Sequence, residues 1–127
     1  LRSRIEWLQF YSDGTLSQGV LAFQDIIFKP TSSLQLYFRY LQYDTDDYQS
    51  RLYAFENDVL YSFQVPSFYK KGNRVYFLFK YTLFSQLDTW IKVGLDTKRN
   101  HHIDLFSNQQ YSLSRNLDMK LQFRYRL

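Results

Sequence analysis

The chain has 127 residues, 45% hydrophobic and 22% charged, with a net charge of +4, two His and no Cys. That length fits one domain with an ordinary core; the missing Cys exclude disulfide staples and Cys-based metal sites, and there is no run of about 18 apolar residues to make a transmembrane helix. The basic residues are interspersed rather than clustered, which speaks against nucleic acid as a partner of this segment, whereas 12 Phe, 12 Tyr and two Trp against only four Gly and two Pro favour strands.

Arg2 to Phe10 reads as a first strand, with Ile5 and Trp7 alternating against Arg4 and Glu6. Tyr11 to Gly19 is expected to be a polar loop carrying the Asp13-Gly14 turn signal. Val20 to Phe28 is a second strand of poor alternation, because Asp25 falls on the side of Leu21, Phe23 and Ile27; a bulge or a shifted register is expected there. Lys29-Pro30-Thr31-Ser32 is a short turn. From Leu34 to Tyr40 the pattern sharpens, Leu34, Leu36, Phe38 and Tyr40 opposing Gln35, Tyr37 and Arg39.

The stretch 44–73 does not read as one element. Leu52, Phe55, Val59, Leu60 and Phe63 recur at near-helical spacing, yet Val59, Tyr61, Phe63 and Val65 also alternate, so helix and strand are both open. Arg74 to Leu83 is the cleanest internal strand, and Thr89 to Thr97 returns after a turn at Ser85 to Asp88. A second long polar loop is expected over 98–116. The final ten residues, from Asp118, place Met119, Leu121, Phe123, Tyr125 and Leu127 against Lys120, Gln122, Arg124 and Arg126.

Counted back from Leu127, the expected connections alternate long, short, long, short and moderate. Short turns at one rim and longer loops at the other are the rule for outer-membrane barrels. The expected fold is therefore all-β: an antiparallel up-and-down transmembrane β-barrel. Six strands fall short of the minimum of about eight for a single-chain barrel, so either the stretch 44–73 hides another strand pair or, the favoured reading, the chain is the C-terminal segment of a larger barrel, with outer-membrane lipid and the remaining strands, or other membrane subunits, as partners. Leu36, Phe38, Val75, Phe77, Phe79, Tyr81, Ile91, Val93, Leu121, Phe123 and Tyr125 are the candidate lipid-facing residues. Arg39, Arg74, Lys80, Lys92, Lys120, Arg124 and Arg126 are the candidate lumen-facing set, opposed by Asp96 and Asp118. Such a cationic excess biases a lumen toward anions, unless missing strands or a plug supply the balancing carboxylates. Trp7, Phe84, Trp90 and Tyr125, at strand ends, are candidate interfacial anchors.

The remaining chemistry is sparse. His101 and His102 are a possible metal pair without a third ligand at useful spacing. Asp44, Asp46 and Asp47 are hard oxygen ligands of the kind calcium takes, but the Gly and the closing Glu of a calcium loop are absent. Glu56 and Asp58 form a carboxylate pair with nothing to fix their separation. No catalytic, cofactor-binding or metal-binding residue is assigned, and no cofactor is expected.

The run from Arg51 to Phe68, together with Gly72-Asn-Arg-Val-Tyr76 and the ending Leu121-Gln-Phe-Arg-Tyr-Arg-Leu127, resembles the C-terminal part of large outer-membrane barrel proteins of Bacteroidota-type bacteria, whose precursors join a helix-hairpin-helix region to a barrel. The resemblance covers roughly 34–127, is most specific from Tyr53 to Pro66, and departs from the family's terminal signature in ending on Leu127 instead of Phe. It implies an outer-membrane location and a barrel architecture, and it carries no catalytic residues; with the alternating strands and the loop asymmetry, the expected role is a non-enzymatic pore, transport conduit or scaffold for surface loops and partner proteins. The alternative is a soluble antiparallel barrel that binds a small apolar ligand with its aromatic faces turned inward. A weaker third expectation is a secreted module whose acidic and aromatic stretch 44–73 recognises glycans.

Overall fold

A computed structural model describes the backbone of residues 1–102 and 110–127 and the side chains of 1–99 and 112–127. Eight strands follow in order: β1 (Arg2–Ser12), β2 (Thr15–Phe28), β3 (Leu34–Thr45), β4 (Leu52–Tyr53), β5 (Ser67–Phe68), β6 (Lys71–Phe84), β7 (Leu87–His102) and β8 (Gln110–Tyr125). Six of them form one sheet in the order β1-β2-β3-β6-β7-β8, and β4 and β5 pair with each other. All pairings are antiparallel. Among the described residues there is no helix, so the helical option for residues 51–63 falls; their only helix-like feature is a turn closed by Ser62 N donating to Val59 O at 3.2 Å.

The main sheet is an up-and-down meander that does not close. β1 pairs only with β2 and β8 only with β7, so the antiparallel sheet of six strands does not close on itself and both outer edges of the ladder are open. Open edges carry a row of unpaired amides and carbonyls.

Period-two patterning gives the sheet two dissimilar faces. On one, the register stacks apolar side chains in rows across β3, β6, β7 and β8. Tyr40, Val75, Leu95 and Leu117 make one row; Phe38, Phe77, Val93 and Met119 the next; then Leu36, Phe79, Ile91 and Leu121; then Leu34, Tyr81, Thr89 and Phe123. Among the described residues Thr89 is the one member of these rows that is buried; Phe77 is 41% exposed and Met119 68%. All of the candidate lipid-facing residues lie on this face. The other face is charged, and residues 46–70 fold back across it. Leu52, Ala54 and Phe68 of that segment pack on Leu21, Phe23, Leu41 and Tyr43, while Val59 and Leu60 pack against Tyr76, Leu78 and Trp90. Burying side chains of this size contributes roughly 1.5–3 kcal/mol each, so the small apolar core belongs to the junction of segment and sheet.

Several boundaries move. The loop expected over 11–19 tightens to a hairpin in which Asp13 (φ 49°) and Gly14 (φ 78°) both take positive φ, the backbone that a type I′ turn requires. β7 and β8 extend through most of the loop expected over 98–116. The register shift expected at Asp25 is absent, since β2 pairs continuously with β3 from Gly19 to Phe28. An irregularity lies instead between Thr82 and Phe84.

Candidate functional site

The charged face draws on alternate residues of all six long strands. By register Asp25, Arg39, Tyr76, Gly94 and Asp118 fall in one row across β2, β3, β6, β7 and β8, and Tyr37, Leu78, Lys92 and Lys120 in the next. Arg39, Arg74, Lys80, Lys92, Lys120 and Arg124, all of them expected to face a lumen, share this side, and Arg126 joins it through Asp88. Sequence reasoning matched them only with Asp96 and Asp118. The structure adds Asp25 and Asp88 from the sheet and Glu56 and Asp58 from the folded-back segment.

Glu56 is the hub. Its side chain is wholly buried and accepts hydrogen bonds from Arg74 Nε at 2.5 Å, Arg74 Nη2 at 2.9 Å and Lys92 Nζ at 3.1 Å. The paired Arg74 bonds match the fork of a guanidinium to the two oxygens of a carboxylate. Arg74 reaches on to Asp118 at 2.9 Å. This crossing depends on Gly94, where a Cβ would stand 2.6 Å from Asp118 Oδ1 and 2.9 Å from Arg74 Nη2. Lys92 also lies 3.6 Å from Asp58 and, through a cation–π contact, 4.9 Å above the Tyr76 ring.

Asp58 extends the ladder, accepting from Lys120 Nζ at 2.6 Å, Ser62 Oγ at 3.1 Å and the Val59 amide at 2.8 Å. Burial pushes the Asp58 carboxyl up, but the Lys120 ammonium, the Val59 amide and the Lys92 charge outweigh it and hold its pKa below the ordinary value. At the other end of the row Arg39 grips Asp25 through Nε and Nη2, at 2.5 and 2.8 Å, and donates from Nη1 to the Phe55 carbonyl at 2.5 Å. Its guanidinium also stacks 3.9 Å from the Phe23 ring centre. Asp25, out of place in the sequence pattern, is thus the partner that lets Arg39 be buried.

The segment is fixed at its root as well. Asp47 accepts from Ser17 Oγ at 2.6 Å and from the amides of Gln49 and Ser50 at 2.9 and 3.0 Å. The Ser17 hydroxyl and these amides hold its carboxyl below the usual range. Asp46 accepts from the Gln18 amide, and Asp44 pairs with Lys71. The three acids considered for calcium are therefore engaged separately, and among the described residues no group of three His, Cys, Asp or Glu is placed to hold a metal. The His101 and His102 side chains lie outside the described residues.

Toward the short-turn end, Asp88 is held by Thr82 at 2.7 Å and by Arg124 and Arg126. Lys80 sits 5.5 Å from the Trp90 ring centre, with no carboxylate partner among the described residues. Trp90, expected as an interfacial anchor, is 4% exposed on the charged face; Trp7, Phe84 and Tyr125 are 62%, 70% and 63% exposed. An open cavity of about 270 Å³ lies between segment and sheet here, lined by Gln35, Tyr37, Asn57, Asp58, Lys80 and Trp90.

Glu56 and Asp58 could have been found by one signal. They stand two apart amid apolar residues, a spacing that puts both on one side of an extended chain, facing whatever that chain covers. The class that fold and site define is an open antiparallel meander whose charged face is buried and whose apolar face is bare. No family model, curated protein or solved structure matches this chain.

Proposed function

We propose that the chain forms part of the wall of a transmembrane β-barrel in a bacterial outer membrane, with lipid on the apolar face and a lumen, narrowed by residues 46–70, on the charged face. The observation that carries this reading is the inversion of polarity. Monomers in water rarely leave a contiguous apolar patch beyond a few hundred Å² uncovered, yet here the uncovered face runs across all six strands while Arg39 and Lys92 are buried. The dimensions agree. Val75 to Phe84 covers about 33 Å of strand, and at a tilt of about 40° that spans the apolar band of about 25 Å found in such barrels.

Unpaired backbone groups at a sheet edge cost several kcal/mol each in hydrocarbon, so β1 and β8 take further strands, from the same protein or from other subunits, to complete the wall. The role is non-enzymatic: a pore or transport conduit, or a scaffold for surface loops. Ladder carboxylates neutralise most of the wall cations, so a passage of this kind discriminates by size more than by charge.

The two tryptophans test the reading, since Trp7 is on the apolar face and Trp90 on the charged one. In brominated phosphatidylcholine vesicles, fluorescence of the Trp90→Phe variant, which keeps Trp7, should be quenched, and that of Trp7→Phe, which keeps Trp90, should not. Recovery of the chain as a monodisperse monomer in detergent-free buffer would overturn the membrane assignment.

A further inference from the structure

We infer that the loop-side border of the apolar face binds the phosphate of a membrane amphiphile, a lipid with acyl chains and an anionic phosphorylated head group; this rests on the membrane reading above. The register places Asp44, Lys71, Arg99 and Leu113 in one row across β3, β6, β7 and β8, and Gln42, Asn73, Thr97 and Arg115 in the row beside it. The next row, Tyr40, Val75, Leu95 and Leu117, begins the apolar band. Polar donors and cations thus meet hydrocarbon-like side chains along a single line.

Lys71 and Arg99 stand directly opposite each other on neighbouring strands, with Arg115 diagonal to Arg99. Like charges so placed destabilise a sheet unless an anion lies between them. Among the described residues Asp44 alone offers a counter-charge, bonding Lys71 at 2.7 Å with both side chains 59% exposed. Among the described residues Arg99 and Arg115 have no carboxylate partner, and both are exposed. The cations of the buried face differ, as nearly all are held by carboxylates. An open depression of about 520 Å³ lies at this border, lined by Gln42, Asp44, Lys71, Asn73, Thr97 and Arg99. Its guanidinium, ammonium, amide and hydroxyl donors suit a phosphate, and a head group seated there lays its chains along Val75, Leu95 and Leu117.

The opposite border lacks such a set. The apolar side ends there in Phe28, Phe84 and Tyr125; Arg124 and Arg126 belong to the charged face, paired with Asp88, and Lys29 stands 5.7 Å from the Tyr37 ring centre with, among the described residues, no second cation opposite it. The site therefore distinguishes the two leaflets.

The test titrates the full chain, taken from zwitterionic detergent, with vesicles of phosphatidylcholine alone or containing a minor fraction of phosphatidic acid. Cationic side chains near an anionic surface contribute about 1 kcal/mol each, so at low salt the phosphatidic acid vesicles should bind on the order of a hundredfold tighter. Replacing Arg99→Gln and Arg115→Gln together should remove roughly twentyfold of that preference. Arg99→Lys with Arg115→Lys should keep most of it, and Asp44→Asn should enlarge it. Equal binding to both vesicles overturns the phosphate site and leaves the membrane reading intact, whereas failure to partition into either overturns both. A preference unaffected by the double Gln variant also overturns the site. Competition by inorganic phosphate as strong as that by the lipid reduces it to a free-anion site and overturns the amphiphile.

Discussion

The two faces of this sheet are made by the same strands, one residue out of phase, and they solve opposite problems. The charged face is crowded and covered; Arg74, Lys92 and Lys120 are neutralised there by Glu56 and Asp58, which residues 46–70 bring down onto them, and Arg39 by Asp25 of the sheet itself. The apolar face is continuous and largely exposed, with Phe77 41% and Met119 68% open to the surroundings. A protein dissolved in water is expected to show the reverse. The contrast shows that alternation reports which residues share a side but is silent on which side is inside.

Removing a carboxylate from the charged face is the strongest way to break the comparison. Glu56→Gln leaves Arg74 and Lys92 buried without their shared counter-charge, and losing one partner of a buried ion pair costs about 3–5 kcal/mol. A drop of that size in denaturant stability, with faster proteolysis at the exposed Phe63, is the expected result; an unchanged midpoint would mean that the ladder does not hold the segment. On the apolar face Met119→Arg places a charge in the middle rows of the band. In bilayers this should destabilise by about 2–4 kcal/mol, while a water-exposed site should register within about 0.5 kcal/mol.

Acid should loosen the folded-back segment in a smaller, graded way. The Asp58 carboxyl has its folded pKa below the ordinary 3.8, so the stability it contributes is complete above that value and is lost as pH falls through the lower folded value. Amide exchange at Val59 should stay slow from neutral pH down to the ordinary carboxylate range and quicken below it. In Asp58→Asn the same amide should exchange fast at every pH. The smallest effect sharpens the comparison from the apolar side. The Thr89 hydroxyl is buried there without a hydrogen-bond partner, so Thr89→Val should stabilise by about 1 kcal/mol in a thermal or denaturant scan.

Where one face is apolar and the other charged, the strands could be read directly: Arg74 to Leu83, Thr89 to Thr97 and the stretch from Asp118 are all present, in the register that their alternation requires. Reading failed where strands run past the apolar band. Residues 98–102 and 110–116 belong to β7 and β8, but among the described side chains there only Leu113 is apolar, too little for period two to register. Thr15 to Gly19 was missed for the same reason, with Ser17 and Gly19 buried by the folded-back segment instead of by any apolar neighbour in sequence. Asp25 looked like a defect because its explanation, Arg39, lies on the adjacent strand.

By itself the sequence determined that the chain is antiparallel β, which residues share each side, and where the principal turns fall, because these follow from period two and from the local chemistry of Asp-Gly and Pro. Only the tertiary structure decided that residues 46–70 return across the charged side, that Glu56 and Asp58 neutralise the cations of three strands, and that the sheet stays open at β1 and β8. Those outcomes depend on contacts between groups far apart in the chain, up to 62 residues for Asp58 and Lys120, and a local pattern carries no information about such partners.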